Sequence, residues 1–298
     1  MENLAMTQNR RSFLTHSAAL WPAAGLAAEA AAQPAAAPAA GGSLRLGIVT
    51  YNIAKDWDLD TIIKNLTAVK MDGVELRTTH AHGVEPSLSA EKRAEVRRKF
   101  ADSPVRIAGL GTTCEYHSSD PEALKKQIEL TKEWILLAKD IGTGSVKVRP
   151  NGLARNVPEE KSLEQIGKSL KECGAFAAGH GIRLQLEIHG SETSRIPRIK
   201  KILDYAEMHP AVWLCWNSNQ NDLLDGGLES NFQLLKGRIG QVHMRDLFLE
   251  EYPWKRLVQL LQEIRFPGFC LLEVPESADP QRVLSYARAL FRAYQGAA

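Results

Sequence analysis

Four side chains that can bind a metal ion or move a proton stand near the ends of four consecutive apolar stretches. They are Glu187 in IRLQLEIHG, Asn217 in AVWLCWN, His243 in IGQVHMR and Glu273 in FCLLEV. All four offer oxygen or nitrogen donors and none is a thiolate, which suits a hard or borderline divalent ion such as Mn²⁺, Mg²⁺, Co²⁺ or Zn²⁺. Because unpaired carboxylates are costly to bury, the set predicts one bound divalent metal ion.

Residues 182–190 have the alternation of a strand whose two faces differ. Successive side chains of a strand point to opposite faces, and the stretch is flanked by helical patterns, which favours a parallel sheet with helices over its apolar face. The polar face should then look into a barrel lumen or a crevice. The apolar face carries Ile182, Leu184, Leu186 and Ile188, and the polar face carries Arg183, Gln185, Glu187 and His189.

The same alternation places further polar side chains near the predicted site. They are candidates for holding substrate oxygens, and Asp246 is a candidate hydrogen-bond partner of the predicted ligand His243. The substrate-binding candidates are Lys147, His189, Asn219, Arg245, Glu75 and His117.

Short apolar strands and longer amphipathic segments alternate eight times between residues 44 and 295. Alternating strands and helices predict a parallel sheet, and eight units in roughly 250 residues predict closure into a single (β/α)₈ TIM barrel of the α/β class. An open doubly wound sheet is the main alternative, but no strand is followed by a GxGxxG or GxxxxGK loop. The predicted strands are 44–53, 73–78, 106–112, 145–149, 182–190, 211–217, 239–245 and 269–274.

The N-terminal 42 residues are predicted to be a targeting signal rather than part of the fold. Asn9 to Leu14 reads NRRSFL, a twin arginine followed by an aromatic residue and a leucine, and an Ala/Pro-rich run follows. This pattern is typical of a twin-arginine export signal in a bacterium, and a disordered tail with a chance arginine pair is the alternative. We therefore expect residues 1–42 to be signal and linker, residues 43–298 to be the barrel, and the protein to use the twin-arginine machinery to reach the periplasm.

Composition argues against several other classes of protein. The formal net charge is +2 and no Lys/Arg run is interleaved with aromatic residues, so no nucleic-acid partner is expected. The apolar run near the N-terminus is short and Ala-rich, so no stable membrane span is expected. The four cysteines are scattered without a CxxC pair, which indicates neither a zinc ribbon nor a disulfide framework, and Cys215 and Cys270 are expected in the core.

The eight-unit repeat, together with LEIHG, CWNSN, VHMRD and LLEVP, resembles the xylose isomerase-like TIM barrels. The likeness covers residues 44–295 and implies a metal held by residues of the fifth to eighth strands. It matches Glu187 and Glu273 to the family's two glutamates, which also move protons, and His243 to its histidine. This chain departs from the pattern at Asn217, where the family has Asp, and at Gln220, where it has His.

The resemblance implies a metal-dependent sugar isomerase or epimerase that removes a proton next to a carbonyl through an enediolate. Export favours a non-phosphorylated carbohydrate as substrate. One alternative is a metal-assisted lyase or hydratase acting on a 3-keto-glycoside. Another, suggested by Asn217, is a periplasmic sugar-binding protein without catalysis. The sequence leaves open the sugar, the metal, the signal cleavage site and whether the protein is a homo-oligomer.

Overall fold

A computed structural model describes residues 44–296 of the chain as a closed barrel of parallel strands. Its eight strands pair in chain order, and the last strand pairs with the first. This confirms the predicted (β/α)₈ barrel and excludes the open sheet. The predicted export signal and linker, residues 1–42, lie outside the described residues.

Each strand is followed by an α-helix, in the order expected from the sequence. The strands are β1 Arg45–Val49, β2 Gly73–Arg77, β3 Arg106–Glu115, β4 Ser145–Arg149, β5 Arg183–Glu187, β6 Val212–Asn217, β7 Ile239–Met244 and β8 Phe269–Leu272. The helices are α1 Leu59–Ala68, α2 Ala90–Ala101, α3 Pro121–Ile141, α4 Glu159–Gly179, α5 Ile196–Tyr205, α6 Gly227–Leu235, α7 Trp254–Glu263 and α8 Pro280–Tyr294.

Local signals in the sequence set several helix ends. The Asp58 side chain accepts a hydrogen bond from the Thr61 amide and so caps α1. Asp120 caps α3 in the same way, with Pro121 in the first turn, and Gly142 ends that helix in the left-handed conformation. These caps fix where α1 and α3 begin and where the chain leaves α3 towards β4.

The first strand ends at Val49 rather than at the predicted Ile53, and two further strands differ from the prediction by three residues or more. The fifth strand ends at Glu187, because only the Ile188 amide continues the pairing with β6 and Gly190 adopts φ +95°. The third strand runs on to Glu115, since the chain pairs again with Arg149 after an irregularity beyond Gly111. Both differences lie at the carboxyl ends of strands, where the chain turns into the loops that form the mouth.

The main core lies between the strands and the surrounding helices. Outward-facing residues of the strands, such as Ile48, Leu186 and Val242, are fully buried there against helix residues such as Ile199 and Leu257. The four cysteines, Cys114, Cys173, Cys215 and Cys270, are all buried free thiols, as expected for Cys215 and Cys270. Between residues 44 and 296, no helix has the length and apolar character needed to cross a membrane.

Candidate active site

A cluster of charged side chains fills the barrel lumen near the carboxyl ends of the strands. It is formed by Glu75 from β2, Lys147 from β4, Glu187 from β5 and His243 from β7, and all four are at least 94% buried. Carboxylates and cations are rarely buried in this way unless they pair with one another. The alternation of each strand predicts this inward orientation, and the closure of the barrel brings the four strands to one point.

Both oxygens of Glu187 face a basic side chain. Lys147 Nζ donates a hydrogen bond of 2.6 Å to Glu187 Oε2, and His243 Nδ1 lies 3.2 Å from Glu187 Oε1. Burial on its own would raise the pKa of Glu187, but Lys147 and His243 outweigh it and hold that pKa well below its usual range. The Lys147 ammonium, for its part, has a pKa above its usual value, because Glu187 and Glu75 outweigh the effect of burial. Glu187 is therefore a carboxylate at neutral pH.

Glu75, a predicted substrate-binding residue, is paired within this cluster. Its Oε2 lies 3.1 Å from His243 Nε2 and accepts a hydrogen bond from Gln241 Nε2, while its Oε1 lies 3.9 Å from Lys147 Nζ. Gly111 makes room for it, since a Cβ atom there would stand 2.4 Å from Glu75 Oε1. The inward position of Glu75 follows from alternation in GVELR, but its pairing with His243 across the lumen does not.

His243 thus has a carboxylate beside each ring nitrogen. Burial lowers the pKa of His243, but Cys215, Glu75 and Glu187 raise it well above the ordinary value. Burial raises the pKa of the Cys215 thiol to about 11, so this neighbour is neutral at pH 7 and the carboxylates act on the imidazole. Among residues 44–296 no hydrogen bond joins His243 to Asp246, its predicted partner, since Glu75 and Glu187 lie beside the two ring nitrogens.

Glu273 lies next to the cluster but outside its pairing. It follows β8, where its amide bonds to the Met244 carbonyl, and none of the described residues donates a hydrogen bond to its carboxylate. Burial raises the pKa of Glu273, with Glu187 and Glu75 adding to the effect and His243 and Lys147 opposing it. Glu273 is therefore a mostly buried carboxylate that is free to accept a proton.

Asn217 and Asn219 lie at and just beyond the carboxyl end of β6. Asn217 pairs in register with His243, and its backbone carbonyl accepts a 2.6 Å hydrogen bond from Asn219 Nδ2. Asn219 also caps a 3₁₀ turn, Gln220–Leu223, by accepting from the Asn221 amide, while Asp222 accepts from the Asn219 amide. Asn219 thus has a structural role in this loop, which the Asn-x-x-Asp spacing could have indicated, and its binding of substrate stays a prediction.

The four predicted metal ligands do not form one ligand set. Glu187 Oε1 and His243 Nδ1 are adjacent, and within residues 44–296 this Nδ1 has no hydrogen-bond partner. These two atoms are therefore placed as two ligands of one metal ion would be. However, Lys147 holds the other Glu187 oxygen, and the neutral Asn217 supplies no charge. No group of three or more His, Cys, Asp or Glu side chains within residues 44–296 is placed to hold a metal ion. The residues present therefore do not fit the predicted four-ligand centre.

The mouth above the cluster carries polar groups that lack partners. At the strand ends, Glu115 and Arg149 approach each other at 3.7 Å, and Arg245 Nη2 lies 3.3 Å from Glu251 Oε1. Each of these rim residues has a nitrogen or oxygen atom that makes no hydrogen bond within residues 44–296. A ligand rich in hydroxyl groups would supply the missing hydrogen bonds. The rim atoms that are buried without a hydrogen-bond partner are Glu115 Oε2, Arg149 Nε, His117 Nδ1, His189 Nδ1 and Arg245 Nε.

A buried network supports the loop after β6. Tyr252 donates a 2.8 Å hydrogen bond to Asp222 Oδ2, and Trp216 Nε1 donates a 3.1 Å hydrogen bond to Tyr252. Burial raises the pKa of Asp222 to about 7, although the Tyr252 hydroxyl and the Asn219 amide oppose the shift. The network connects the strand that carries Asn217 to the start of α7, at Trp254.

This shift of Asp222 makes the stability of the protein depend on pH. When folding raises the pKa of a carboxyl group, that group contributes its full stabilisation at a pH below the pKa of about 4 that it has in the unfolded chain. The contribution is lost as the pH rises to about 7, the pKa in the folded protein. Replacing Asp222→Asn should remove this loss. We expect the stability of the variant relative to wild type to rise by up to roughly 4 kcal/mol between pH 4 and pH 7.5, measured by urea unfolding.

The matched control for this prediction is Asp204→Asn, at a half-exposed aspartate of α5. Its stability difference from wild type should stay nearly constant over the same pH range. An equally constant difference for Asp222→Asn would show that the carboxyl group is not neutral in the folded protein.

Comparison with known proteins places this site in a family context. The family model described as xylose isomerase-like TIM barrel matches residues 63–294. No curated protein is significantly similar to this chain in sequence. Three similar solved structures are 3-keto-D-glucoside 4-epimerase YcjR from E. coli, D-psicose 3-epimerase from Clostridium cellulolyticum with D-tagatose, and the IOLI protein with a bound zinc atom.

These three structures share the fold at low sequence identity. The E. coli epimerase aligns with a TM-score of 0.70 at 12% identity, over 84% of this chain and 100% of that chain. The Clostridium epimerase aligns with a TM-score of 0.73 at 12% identity, over 84% of this chain and 99% of that chain. The zinc-bound protein aligns with a TM-score of 0.70 at 16% identity, over 84% of this chain and 98% of that chain. With most of the barrel matched by the family model and the barrel itself closed in the expected order, the chain belongs to the xylose isomerase-like TIM barrel family.

Proposed function

We propose that the protein is a sugar epimerase or isomerase that removes a proton from the carbon next to a carbonyl group. The observation that carries the proposal is a free, mostly buried carboxylate, Glu273, beside a buried cluster of paired charges. A base of this kind needs a nearby positive charge to stabilise the enediolate that it creates. The solved neighbours named as 4-epimerase and 3-epimerase support the same class of reaction.

The two glutamates that the family resemblance matches have different surroundings in this chain. Lys147 and His243 occupy both oxygens of Glu187, so Glu187 holds these cations in place and is a poor base. Glu273 has no such partner among residues 44–296 and is the better candidate to take the proton. We therefore assign proton transfer to Glu273, and we retain Glu187 as its predicted partner on the other side of the reacting carbon.

The rim supports a polyhydroxylated substrate. Arg149, His189 and Arg245 present unpaired donors or acceptors around the mouth, and each can bind a hydroxyl or carbonyl oxygen. His117 and Glu115 extend this surface on the β3 side. The predicted export of the protein favours a non-phosphorylated sugar, because sugar phosphates are made inside the cell.

The divalent metal ion is a prediction that the donor set of this chain supports poorly. The zinc-bound neighbour supports a metal in a related barrel, and Glu187 and His243 are the residues here that approach such a role. Since Lys147 holds one of these ligands and Asn217 replaces an acidic one, no step of the proposed reaction is routed through a metal.

A lyase or hydratase acting on a 3-keto-glycoside is the second candidate. The similarity to a 3-keto-D-glucoside 4-epimerase favours it, because an enediolate next to a glycosidic carbon can expel the aglycone instead of being reprotonated. A sugar-binding protein without catalysis is a third candidate, and it predicts binding without any hydrogen exchange. We also propose that the protein passes through the twin-arginine machinery and works in the periplasm.

Incubation in D₂O separates these candidates. D-allulose, D-tagatose, D-fructose and a 3-keto-glucoside are each incubated with the purified protein and followed by NMR and mass spectrometry. An epimerase or isomerase should give a product of the same skeleton with deuterium at the carbon next to the carbonyl. Release of an aglycone would identify a lyase, and binding of a sugar with no exchange would show that the enzyme proposal is wrong.

A further inference from the structure

We propose that the ammonium group of Lys147 is the resident cation of this site and does the work that the family resemblance assigns to a divalent metal ion. The inference rests on the proposed function and names the group that stabilises the enediolate. Lys147 comes from the middle of β4, in register with Gln185 and so two residues below Glu187, and its side chain is 7% exposed.

The position of the ammonium is fixed by two carboxylates. Its nitrogen lies 2.6 Å from Glu187 Oε2 and 3.9 Å from Glu75 Oε1, so it is bound to the residue that was expected to be the first metal ligand. An ammonium group has three N–H donors. Only the hydrogen bond to Glu187 is made within residues 44–296, which leaves donors for a substrate oxygen.

The arrangement around His243 and Glu187 leaves little for a metal to bind. A metal-binding imidazole offers one ring nitrogen as an acceptor. Here Nε2 lies 3.1 Å from both Glu75 Oε2 and Gln241 Nε2, and within residues 44–296 only Nδ1 is without a hydrogen-bond partner. The carboxylate nearest to Nδ1 is that of Glu187, which Lys147 already holds through its other oxygen, so a metal ion at Nδ1 would have to share Glu187 with the ammonium group.

The chemistry needs no group that the chain lacks. Glu273 takes the proton from the carbon next to the carbonyl, the electron pair of that C–H bond forms the C=C bond of the enediolate, and the carbonyl oxygen gains the negative charge. Lys147 donates a hydrogen bond to that oxygen and keeps its own proton. For epimerisation, a water molecule donates a proton to the opposite face of the carbon, which restores the carbonyl. The hydroxide ion that this leaves takes the proton held by Glu273, so that Glu273 and Lys147 end as they began.

The first test measures metal binding and does not depend on turnover. The full chain is purified, treated with EDTA, and examined by elemental analysis and by titration with MnCl₂, CoCl₂ and ZnCl₂ in a calorimeter. We expect no stoichiometric metal and no saturable binding in the wild-type protein. One equivalent of tightly bound metal in the wild-type protein would overturn the assignment.

The second test asks whether Lys147 occupies the place of the metal. The double variant Lys147→Met/Asn217→Asp removes the ammonium and supplies the acidic ligand that the family has, and it should gain saturable binding of Mn²⁺ or Co²⁺. Lys201→Met/Asn217→Asp, altered at a half-exposed lysine of α5, is the matched control and should not gain it. Circular dichroism verifies that each variant is folded. A folded Lys147→Met/Asn217→Asp variant that binds no metal would overturn the assignment.

Hydrogen exchange in D₂O with EDTA present completes the test. Exchange by the wild-type protein that persists in EDTA supports the assignment, and exchange that is lost in EDTA and restored by metal overturns it while leaving the proposed function intact. If the two metal-binding tests give the expected results but no sugar in the panel exchanges or binds, the proposed function and the catalytic role of Lys147 fail, and only the occupation of the metal's place by Lys147 stands.

Discussion

Replacing Glu273→Gln is expected to lower the rate of hydrogen exchange at the carbon next to the carbonyl by about 10²- to 10⁴-fold, the usual effect of losing a positioned general base. The substitution keeps the shape of the side chain and removes only its ability to take a proton. None of the described residues donates a hydrogen bond to the Glu273 carboxylate, so we expect little change in the free energy of unfolding. The rate of deuterium incorporation and the midpoint of thermal unfolding measure the two effects separately.

The control for this variant is Glu263→Gln, at an exposed glutamate that ends α7. It should exchange hydrogen at the wild-type rate. Exchange by Glu273→Gln within a factor of a few of the wild-type rate would mean that another group takes the proton, with Glu187 the first alternative. A large loss of stability in Glu273→Gln would point instead to a structural role.

Replacing Lys147→Met should lower stability as well as hydrogen exchange, and its loss of stability should be the largest among the substitutions considered. It leaves Glu187 with one cation instead of two and leaves Glu75 Oε1 without a nearby charge. Removing one partner from a buried ion pair costs about 3–5 kcal/mol, because the other charge stays buried. Urea unfolding at pH 7 measures the change.

Two further variants define the origin of this loss. Lys201→Met, at a half-exposed lysine, should change stability by less than about 0.5 kcal/mol. The double variant Lys147→Met/Glu187→Gln removes both charges and should be more stable than Lys147→Met alone, since no carboxylate is then left without its partner. Additive losses from the two single substitutions would show that the pair is not coupled.

The strands and their order could be predicted from the sequence because the relevant signals are local. Alternation in GVELR, SVKVR and IRLQLEIHG places Glu75, Lys147 and Glu187 on the inner face, and the structure confirms all three as buried. His243 follows in the same way from IGQVHMR. Parallel pairing then brings the strand ends to one rim, so a shared site at that rim is a consequence of the fold.

The contacts inside the lumen could not be predicted, since they depend on how far each side chain reaches once the barrel closes. The contact between Gln241 and Glu75 joins residues 166 positions apart. Whether Glu75 points to the mouth or across the lumen depends on the space beside Gly111, which no local pattern shows. The same holds for Lys147, whose contact with Glu187 leaves one predicted metal ligand bound to an ammonium group.

Burial of every cysteine has a consequence for the redox chemistry of the folded protein. A thiol reacts with oxidants or with another disulfide through its exposed thiolate, and Cys114, Cys173, Cys215 and Cys270 are all within the core. Burial also raises the pKa of each thiol. Once folded, the barrel therefore has no reactive thiol exposed to an oxidising environment. It would resist cross-linking through intermolecular disulfides without needing any disulfide of its own.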